Sequence, residues 1–251
     1  MVVKGITFDL WDTVLIDDSD EPKRAKAGCP TKLVERRELV HAATSKLTDI
    51  SFKSVSDIYD EVDSDFRNDW HNNNITRTVV HRLNQILDIL NVSLSEDEMI
   101  ELVRLHEEME LVFRPDFVTG VHEAIARLSE HYKLGIISDA IFSPGRVLRT
   151  LLRDEGLLDY FDTFAFSDEV GHSKPHQSMF QHAWEGLHLF PSEVVHIGDR
   201  ETNDIAGPHE FGMKAILCIA AVDRGSANTK ADGIFNDYSG LSEALEEIKG
   251  R

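Results

Sequence analysis

The stretch VVKGITFDLWDT (2–13) is an apolar run that ends abruptly on an acid, Asp9, with a second acid, Asp12, three residues later. Its β-branched and aromatic residues and its poor alternation are typical of a strand that is buried on both faces, as in a parallel sheet. A carboxylate at the C-terminal end of such a strand lies where open α/β sheets bind their ligands. Strands also often end on Asp because this residue favours turns. Whether Asp9 has a functional role must therefore be inferred from the rest of the chain.

The composition is that of an ordinary globular protein. The 251 residues are 41% hydrophobic and 28% charged, and the formal net charge is −19. This acidity argues against a surface for nucleic acid or for anionic membranes. We expect a cytoplasmic protein, because no apolar segment approaches the ~18–20 residues that span a bilayer and the N-terminus lacks the features of a signal peptide. The two cysteines, Cys29 and Cys218, have no metal-like spacing.

The segment 17–115 carries no convincing strand. Its first part, 17–30, is polar, contains two prolines and has no periodicity, so we interpret it as a connection. Over 31–113 apolar residues recur at helical spacing in four successive runs, and the last run opens with a capping-box pattern at 95–98. Four amphipathic helices of this kind can form a small bundle. We therefore predict an all-α helical unit over 17–115, inserted after the first strand.

Helices and short apolar runs alternate after Pro115, as expected for βαβ units. The apolar runs predict four further strands, over 132–138, 163–167, 193–199 and 213–219. Ser143-Pro144 predicts an N-cap and a first-turn proline for one of the intervening helices. The fold class that we predict is α/β, with a Rossmann-like parallel sheet core made of residues 1–16 and 116–251.

Polar residues suited to one site follow several of the predicted strands. They are Asp9 and Thr13 after the first strand, Ser138 and Asp139 after the second, Lys174 after the third, and Asp199 and Asp204 after the fourth. Each has an ordinary alternative when taken alone: Ser138 as a turn residue, for example, or Lys174 as a surface cation. Their occurrence in this order, at the carboxyl ends of parallel strands, favours one shared site.

Four motifs carry a resemblance to a known family. They are FDLWDT (8–13), IIS (136–138), SKP (173–175) and GDRETND (198–204). In this respect the chain resembles the haloacid dehalogenase-like (HAD) hydrolase superfamily, and specifically the members with a helical cap inserted after the first strand. The resemblance covers the whole chain. It implies a hydrolase in which 17–115 is the cap.

The resemblance also implies a role for each matching residue. Asp9 is the nucleophile, and its attack on a phosphoryl group gives an aspartyl-phosphate that water then hydrolyses. Lys174 places a positive charge beside Asp9 and the transferring group. Ser138 donates a hydrogen bond to a phosphoryl oxygen. Thr13 fixes the loop or contacts the phosphoryl group, and Asp139 lies beside Ser138 at the substrate.

A metal ion follows from the same resemblance. A carboxylate that attacks a phosphate dianion meets like charge, and Mg²⁺ bound by Asp9 and Asp199 would neutralise this charge. The family pattern adds the backbone carbonyl of Trp11 as a ligand. Asp204 is assigned to the same metal site, where it orients metal-bound water or Lys174. We therefore expect Mg²⁺ as cofactor and a small phosphorylated molecule as substrate.

Trp11 departs from the pattern of phosphatases in this superfamily. They carry a second Asp two residues after the nucleophile, which protonates the leaving oxygen and later activates water. Here the acid comes one residue further on, at Asp12, and a shift of one residue along an extended segment reverses the direction of a side chain. Either the substrate has a good leaving group that needs no acid, or Asp12 reaches the site because the loop is not extended.

Two functions other than phosphate hydrolysis are also compatible with the sequence. The 2-haloacid dehalogenases of the superfamily carry an aromatic residue at the position of Trp11 and need no metal, but their last motif generally lacks the pair Gly198-Asp199. A catalytically weak binding protein is the second alternative. For substrate selection, the predicted cap offers Arg36, Arg37, Arg67, Arg77 and Arg82. We expect most of these arginines on solvated faces, and Trp70 in the core of the bundle.

Overall fold

A six-stranded parallel sheet forms the centre of the protein in the computed structural model, which describes residues 2–249. The strands are β1 (Gly5–Phe8), β2 (Lys133–Ser138), β3 (Thr163–Phe166), β4 (Val194–Gly198), β5 (Lys214–Cys218) and β6 (Gly233–Phe235). Their order in the sheet is β3-β2-β1-β4-β5-β6. The predicted α/β class with a Rossmann-like parallel sheet is confirmed. The edge strand β6 was not predicted, because a run of three residues is too short to show a periodicity.

Strand β1 lies at the point where the direction of the sheet reverses. Phe8 pairs with Ile136 of β2 on one side and with Ile197 of β4 on the other. From β1 the chain passes to β2 and β3, and then returns to the other side of β1 to add β4. Open α/β sheets bind ligands at such a switch point, outside the carboxyl ends of the strands. Asp9 and Asp199 both follow directly on strands that flank this point.

Helices cover both faces of the sheet. Ile6 and Phe8 pack on one face, against α7 (Val121–Ser129), α8 (Gly145–Asp154) and α12 (Leu241–Lys249). Ile137 packs on the opposite face, against α10 (Gln177–Gly186). Short elements complete this part of the chain: α9 (Ser167–Val170), a π-helical turn (Glu201–Ala206) and α11 (Gly207–Glu210). No helix within 2–249 is long and apolar enough to cross a membrane.

Six helices lie between β1 and α7. They are α1 (Glu21–Lys26), α2 (Lys32–Thr44), α3 (Phe52–Asn73), α4 (Val79–Leu90), α5 (Glu96–Glu107) and α6 (Met109–Val112), and we call them the helical segment. Hydroxyl side chains cap α2 to α5, because Thr31, Ser51, Thr78 and Ser95 each accept a backbone N–H of the first turn. Helices α2 to α5 bury an apolar cluster of their own. The division of the chain into a core and a cap at residues 17 and 115 stays a prediction.

Two local predictions were wrong. Residues 17–30 are not only a connection, since α1 forms there with Pro22 in its first turn, where a missing N–H has no consequence. Ser143 does not cap α8. Its hydroxyl donates to the carboxylate of Glu110 in the helical segment, and the amide of Gly145 is instead bound by Asp168 at 3.1 Å. Neither partner could be inferred from local sequence.

Candidate active site

A cavity of about 300 Å³ opens at the carboxyl edge of the sheet. From the sheet side it is lined by Asp9, Trp11, Asp139 and Lys174, together with the loop residues Ile141, Phe142, Ser143, Arg200 and Asn203. From the helical side it is lined by Asp17, Asp18, Lys32, Arg36, Trp70 and Glu110. A second space of about 320 Å³ shares Trp70, Lys174, Arg200 and Asn203 with the first. The residues that follow β1, β2 and β4 therefore face the helical segment across one cleft.

Lys174 joins the acids at the floor of this cavity. Its ammonium group donates to Oδ1 of Asp9 at 2.8 Å and to Oδ1 of Asp204 at 2.6 Å, and it is buried. Its backbone amide donates to Asp139 at 2.9 Å. Burial alone would lower the pKa of Lys174, but the three carboxylates around it raise that pKa well above its usual value. Lys174 is therefore a fixed positive charge beside Asp9.

Asp204 uses both of its oxygens inside the protein. Oδ1 accepts Lys174 and His196 Nε2, the latter at 3.2 Å, and Oδ2 accepts the amide of Arg200 at 2.9 Å. Burial would raise the pKa of Asp204, but Lys174 and His196 hold it well below its usual range. His196 is oriented in turn by the hydroxyl of Thr7, at 2.9 Å from Nδ1. These contacts are those expected if Asp204 serves to position Lys174.

Asp9 and Asp199 are each paired with one cation, Lys174 and Arg224 respectively, yet the pKa of each is raised. Burial raises the pKa of Asp9 to about 8, with Lys174 opposing and the charges of Asp204 and Asp199 adding to the increase. Burial and Asp204 also raise the pKa of Asp199. Oδ1 of Asp199 is buried and has no hydrogen-bond partner in the described chain. Oxygen atoms of Asp9, Asp199 and Asp204 lie within 4.8 Å of one another, and such a set of hard oxygen donors fits a divalent cation.

Asp12 lies on a turn rather than on an extended segment. Its φ is +56°, in the left-handed region that few non-glycine residues adopt, and the Leu10 carbonyl closes the turn by accepting backbone amides at 2.8 Å. The Asp12 carboxylate accepts a hydrogen bond from the guanidinium of Arg224. It is not among the residues that line the cavity. Asp12 is thus joined to the site through Arg224, which also binds Asp199, and its catalytic role stays a prediction.

Two hydroxyl groups of the predicted site are buried and have no hydrogen-bond partner among residues 2–249. They are Ser138 Oγ and Thr13 Oγ1. Ser138 ends β2, next to β1, whereas the backbone carbonyl of Thr13 accepts the hydroxyl of Tyr238 at 2.7 Å and so holds the loop. Asp139 follows Ser138 and lines the cavity, and burial raises its pKa to about 6 against the opposing charge of Lys174. The sequence placed all three side chains at the site, and their roles there stay predictions.

The helical side of the cavity differs from expectation. We predicted most of the arginines on solvated faces, but Arg36, Arg37 and Arg82 are buried. The reason is aromatic stacking: the guanidinium of Arg36 lies 3.5 Å from the ring centre of Phe142, which belongs to the loop after β2. Trp70 was expected in the core of the bundle, but it lines the cavity, and its Nε1 is buried without a partner.

Sequence reasoning missed three residues that shape the site: His196, Arg200 and Arg224. His196 had a usable signal, because a histidine inside the apolar strand VVHIG needs a polar partner. Arg200 follows Asp199 directly and lines the cavity. Arg224 had no such signal in the sequence. It comes from an irregular loop after β5 and reaches Asp199 and Asp12 only in the folded chain.

Comparison with known proteins places this fold and site in a family. The model of the haloacid dehalogenase-like hydrolase family matches residues 47–218. A protein named glyceraldehyde 3-phosphate phosphatase from Methanothermobacter thermautotrophicus is 27% identical over 249 residues, which cover 97% of this chain and 100% of the relative. A protein of the same name from Pyrococcus furiosus is 36% identical over 138 residues, or 53% of this chain and 56% of the relative.

Solved structures agree on the fold. A HAD phosphatase from Thermococcus onnurineus has a TM-score of 0.64 and 24% identity, with 97% of this chain and 98% of the other covered. A 2-haloacid dehalogenase from Pseudomonas syringae has a TM-score of 0.68 and 21% identity, with 98% and 100% covered. Fold similarity does not separate these two chemistries. The family model, however, spans more than half of the chain, and this protein therefore belongs to the haloacid dehalogenase-like hydrolases.

Proposed function

We propose that this hydrolase is a Mg²⁺-dependent phosphatase that acts on a small phosphorylated metabolite through an aspartyl-phosphate on Asp9. The observation that carries the proposal is the buried group in which Lys174 bridges Asp9 and Asp204 beside the unpartnered oxygen of Asp199. The full-length relative that is named a glyceraldehyde 3-phosphate phosphatase supports the same reaction class.

The metal part of the proposal rests on the donor atoms. Asp9, Asp199 and the backbone carbonyl of Trp11 would hold Mg²⁺. The sequence also assigned Asp204 to this ion, but both of its oxygens are taken by Lys174, His196 and the Arg200 amide, so we give it the positioning of Lys174. When bound, Mg²⁺ supplies positive charge that favours the ionised form of Asp9 and offsets the charge of the phosphoryl group.

The reaction then needs two displacements at phosphorus. A carboxylate oxygen of Asp9 forms a bond to phosphorus while the bond to the leaving oxygen breaks, and water later displaces the Asp9 carboxylate to release inorganic phosphate. Lys174 keeps Asp9 oriented through Oδ1 and balances negative charge as it gathers on the phosphoryl oxygens. The free hydroxyl of Ser138 is available to donate to one of those oxygens.

The leaving oxygen receives its proton from water in this scheme. Trp11 lines the cavity where related phosphatases have an acid, and Asp12 is bound by Arg224. Missing general acid–base catalysis typically lowers a rate by about 10²–10⁴-fold. We therefore infer that acyl phosphates and other phosphates with a stable leaving anion are turned over faster than simple alkyl phosphates.

Release of inorganic phosphate from a panel of small acyl phosphates and phosphate esters tests the proposal. Activity should require Mg²⁺, disappear with chelator and disappear in Asp9→Asn. The control is Asp65→Asn, because Asp65 is an exposed residue on α3. Activity that is indifferent to chelator, or that survives in Asp9→Asn, would contradict the proposal. Halide release from a short 2-haloacid without Mg²⁺ would identify dehalogenase chemistry instead.

A further inference from the structure

The helical side of the cavity contains a buried cation with no counter-ion. Arg36 is only 7% exposed, its Nε has no hydrogen-bond partner, and within 2–249 no carboxylate forms a salt bridge with its guanidinium. Glu110 and Asp63 act on it only at longer range. Stacking on Phe142 holds the group in place but does not satisfy its N–H donors. A buried guanidinium with free donors is costly in the free protein.

The neighbouring cations do not share this property. Lys32 lines the same cavity, but three carboxylates surround its ammonium group: Asp20 at 2.8 Å, Asp18 at 3.2 Å and Glu110 at 3.2 Å. Lys174 is bound by Asp9 and Asp204 at the floor. Among the buried cations that the structure describes at the cavity, Arg36 is therefore the one without a salt bridge.

A second hydrogen-bond donor without a partner in the described chain belongs to a residue that lines the same cavity. The indole N–H of Trp70 is buried without a partner, and Trp70 lines both parts of the cleft. Arg36 comes from α2 and Trp70 from α3. Both side chains line the space that also contains Asp9, on the side where Glu110 also lies. A planar anion can accept from a guanidinium through two parallel hydrogen bonds.

We propose that Arg36, with the indole N–H of Trp70, binds a carboxylate group of the substrate, so that the preferred substrates are phosphorylated carboxylic acids. This inference rests on the proposed phosphatase function and adds the substrate class to it. The phosphoryl end meets Asp9, Lys174 and Ser138, and the carboxylate end meets the helical segment. A cavity of about 300 Å³ suits a compact substrate with two anionic ends.

Two substrates that differ only at the distal group test the inference: 3-phosphoglycerate, which is an acid, and glyceraldehyde 3-phosphate, which is the aldehyde. The wild-type protein should show a lower KM for the acid. Arg36→Met should raise the KM for the acid about 10- to 100-fold, as expected for loss of a charged hydrogen-bond donor. Its KM for the aldehyde and its kcat for both should change less than about threefold. Arg36→Lys should lie between the two.

Arg37→Met is the matched control. Arg37 is the next residue and is equally buried, but its guanidinium binds Asp60 and stacks on Tyr59, outside the cavity lining. Its replacement should leave the KM of both substrates unchanged. If Arg36→Met does not fold, Trp70→Phe keeps an aromatic ring but removes the indole N–H with part of the ring, and it should weaken binding of the acid more than binding of the aldehyde, about three- to tenfold.

The outcomes separate this inference from the proposed function. If both compounds are hydrolysed and Arg36→Met affects them equally, the carboxylate site is wrong although the phosphatase proposal stands. If neither is hydrolysed, calorimetry of 3-phosphoglycerate binding still decides the matter. Binding that is tighter for the acid than for the aldehyde, and that is lost in Arg36→Met, supports the carboxylate site, and equal binding of the two compounds overturns it.

Discussion

The guanidinium of Arg224 donates from Nε to Oδ2 of Asp199 at 2.5 Å, and from Nη2 it also binds Oδ2 of Asp12. One cation from the loop after β5 thus holds two carboxylates that belong to different loops. Within residues 2–249, Oδ1 of Asp199 has no hydrogen-bond partner, and the Asp12 carboxylate is occupied by Arg224.

Replacement of Arg224 should destabilise the metal-free protein. Arg224→Ala removes both contacts, and because this side chain is about one-third exposed (36%), we expect a loss of about 1 kcal/mol in the free energy of unfolding. Denaturant unfolding in the presence of chelator measures it. Added Mg²⁺ should stabilise the variant more than the wild type, because a second cation can then balance Asp199. A loss no larger than that of Arg127→Ala, at an exposed position on α7, would contradict this role.

Gly198 should not tolerate a side chain. A Cβ at this position would lie 2.3 Å from Cγ of Asp204, the residue that positions Lys174. Gly198→Ala should therefore displace Asp204 and lower kcat by at least about tenfold, in keeping with the effect of small misplacements at reacting groups. Gly240→Ala is the control, since its Cβ would meet only ordinary contacts, the nearest at 3.5 Å. Equal kcat values for the two variants would show that Lys174 does not depend on Asp204.

Mg²⁺ binding should depend on pH through Asp9. Burial raises the pKa of Asp9 in the metal-free protein, so the protonated form of its carboxyl competes with binding of the ion. Affinity should therefore rise with pH across the neutral range. Calorimetry in buffers of different ionisation enthalpy should show that binding releases protons. Affinity that is constant from pH 6 to pH 8 would contradict a metal site that includes Asp9.

An acid at position 11 should increase the hydrolysis of simple phosphate esters. Trp11 lines the cavity, so Trp11→Asp would place a carboxyl group where it can protonate the leaving oxygen. We expect kcat for an alkyl phosphate to rise at least about tenfold, since general acid catalysis typically contributes about 10²–10⁴-fold. Trp11→Phe, which keeps an aromatic ring, should give no gain. Unchanged kcat in Trp11→Asp would mean that another group already supplies the proton.

Much of the sheet could be predicted because each strand is a buried apolar run, and strand ends bring their polar residues to one edge. This logic placed Asp9, Lys174, Asp199 and Asp204 together without a structure. It also placed Ser138 at the end of β2, next to the strand that carries Asp9.

Contacts between distant segments could not be predicted in the same way. The burial of Arg36 depends on Phe142, more than 100 residues later in the chain, and Ser143 loses its capping role to a carboxylate in the helical segment. Arg224 reaches the site from a loop with no periodicity. The turn at Asp12 requires a positive φ at a non-glycine residue, which sequence patterns favour only weakly.

Chemical trapping of the intermediate tests most directly whether Asp9 is the nucleophile. The protein is mixed with Mg²⁺ and an acyl phosphate, quenched in acid, reduced with borohydride and mapped by peptide mass spectrometry. An aspartyl-phosphate is reduced to homoserine, so we expect homoserine at position 9 only when both substrate and Mg²⁺ are present. Release of inorganic phosphate with Asp9 unmodified, or modification of a different carboxylate, would contradict it.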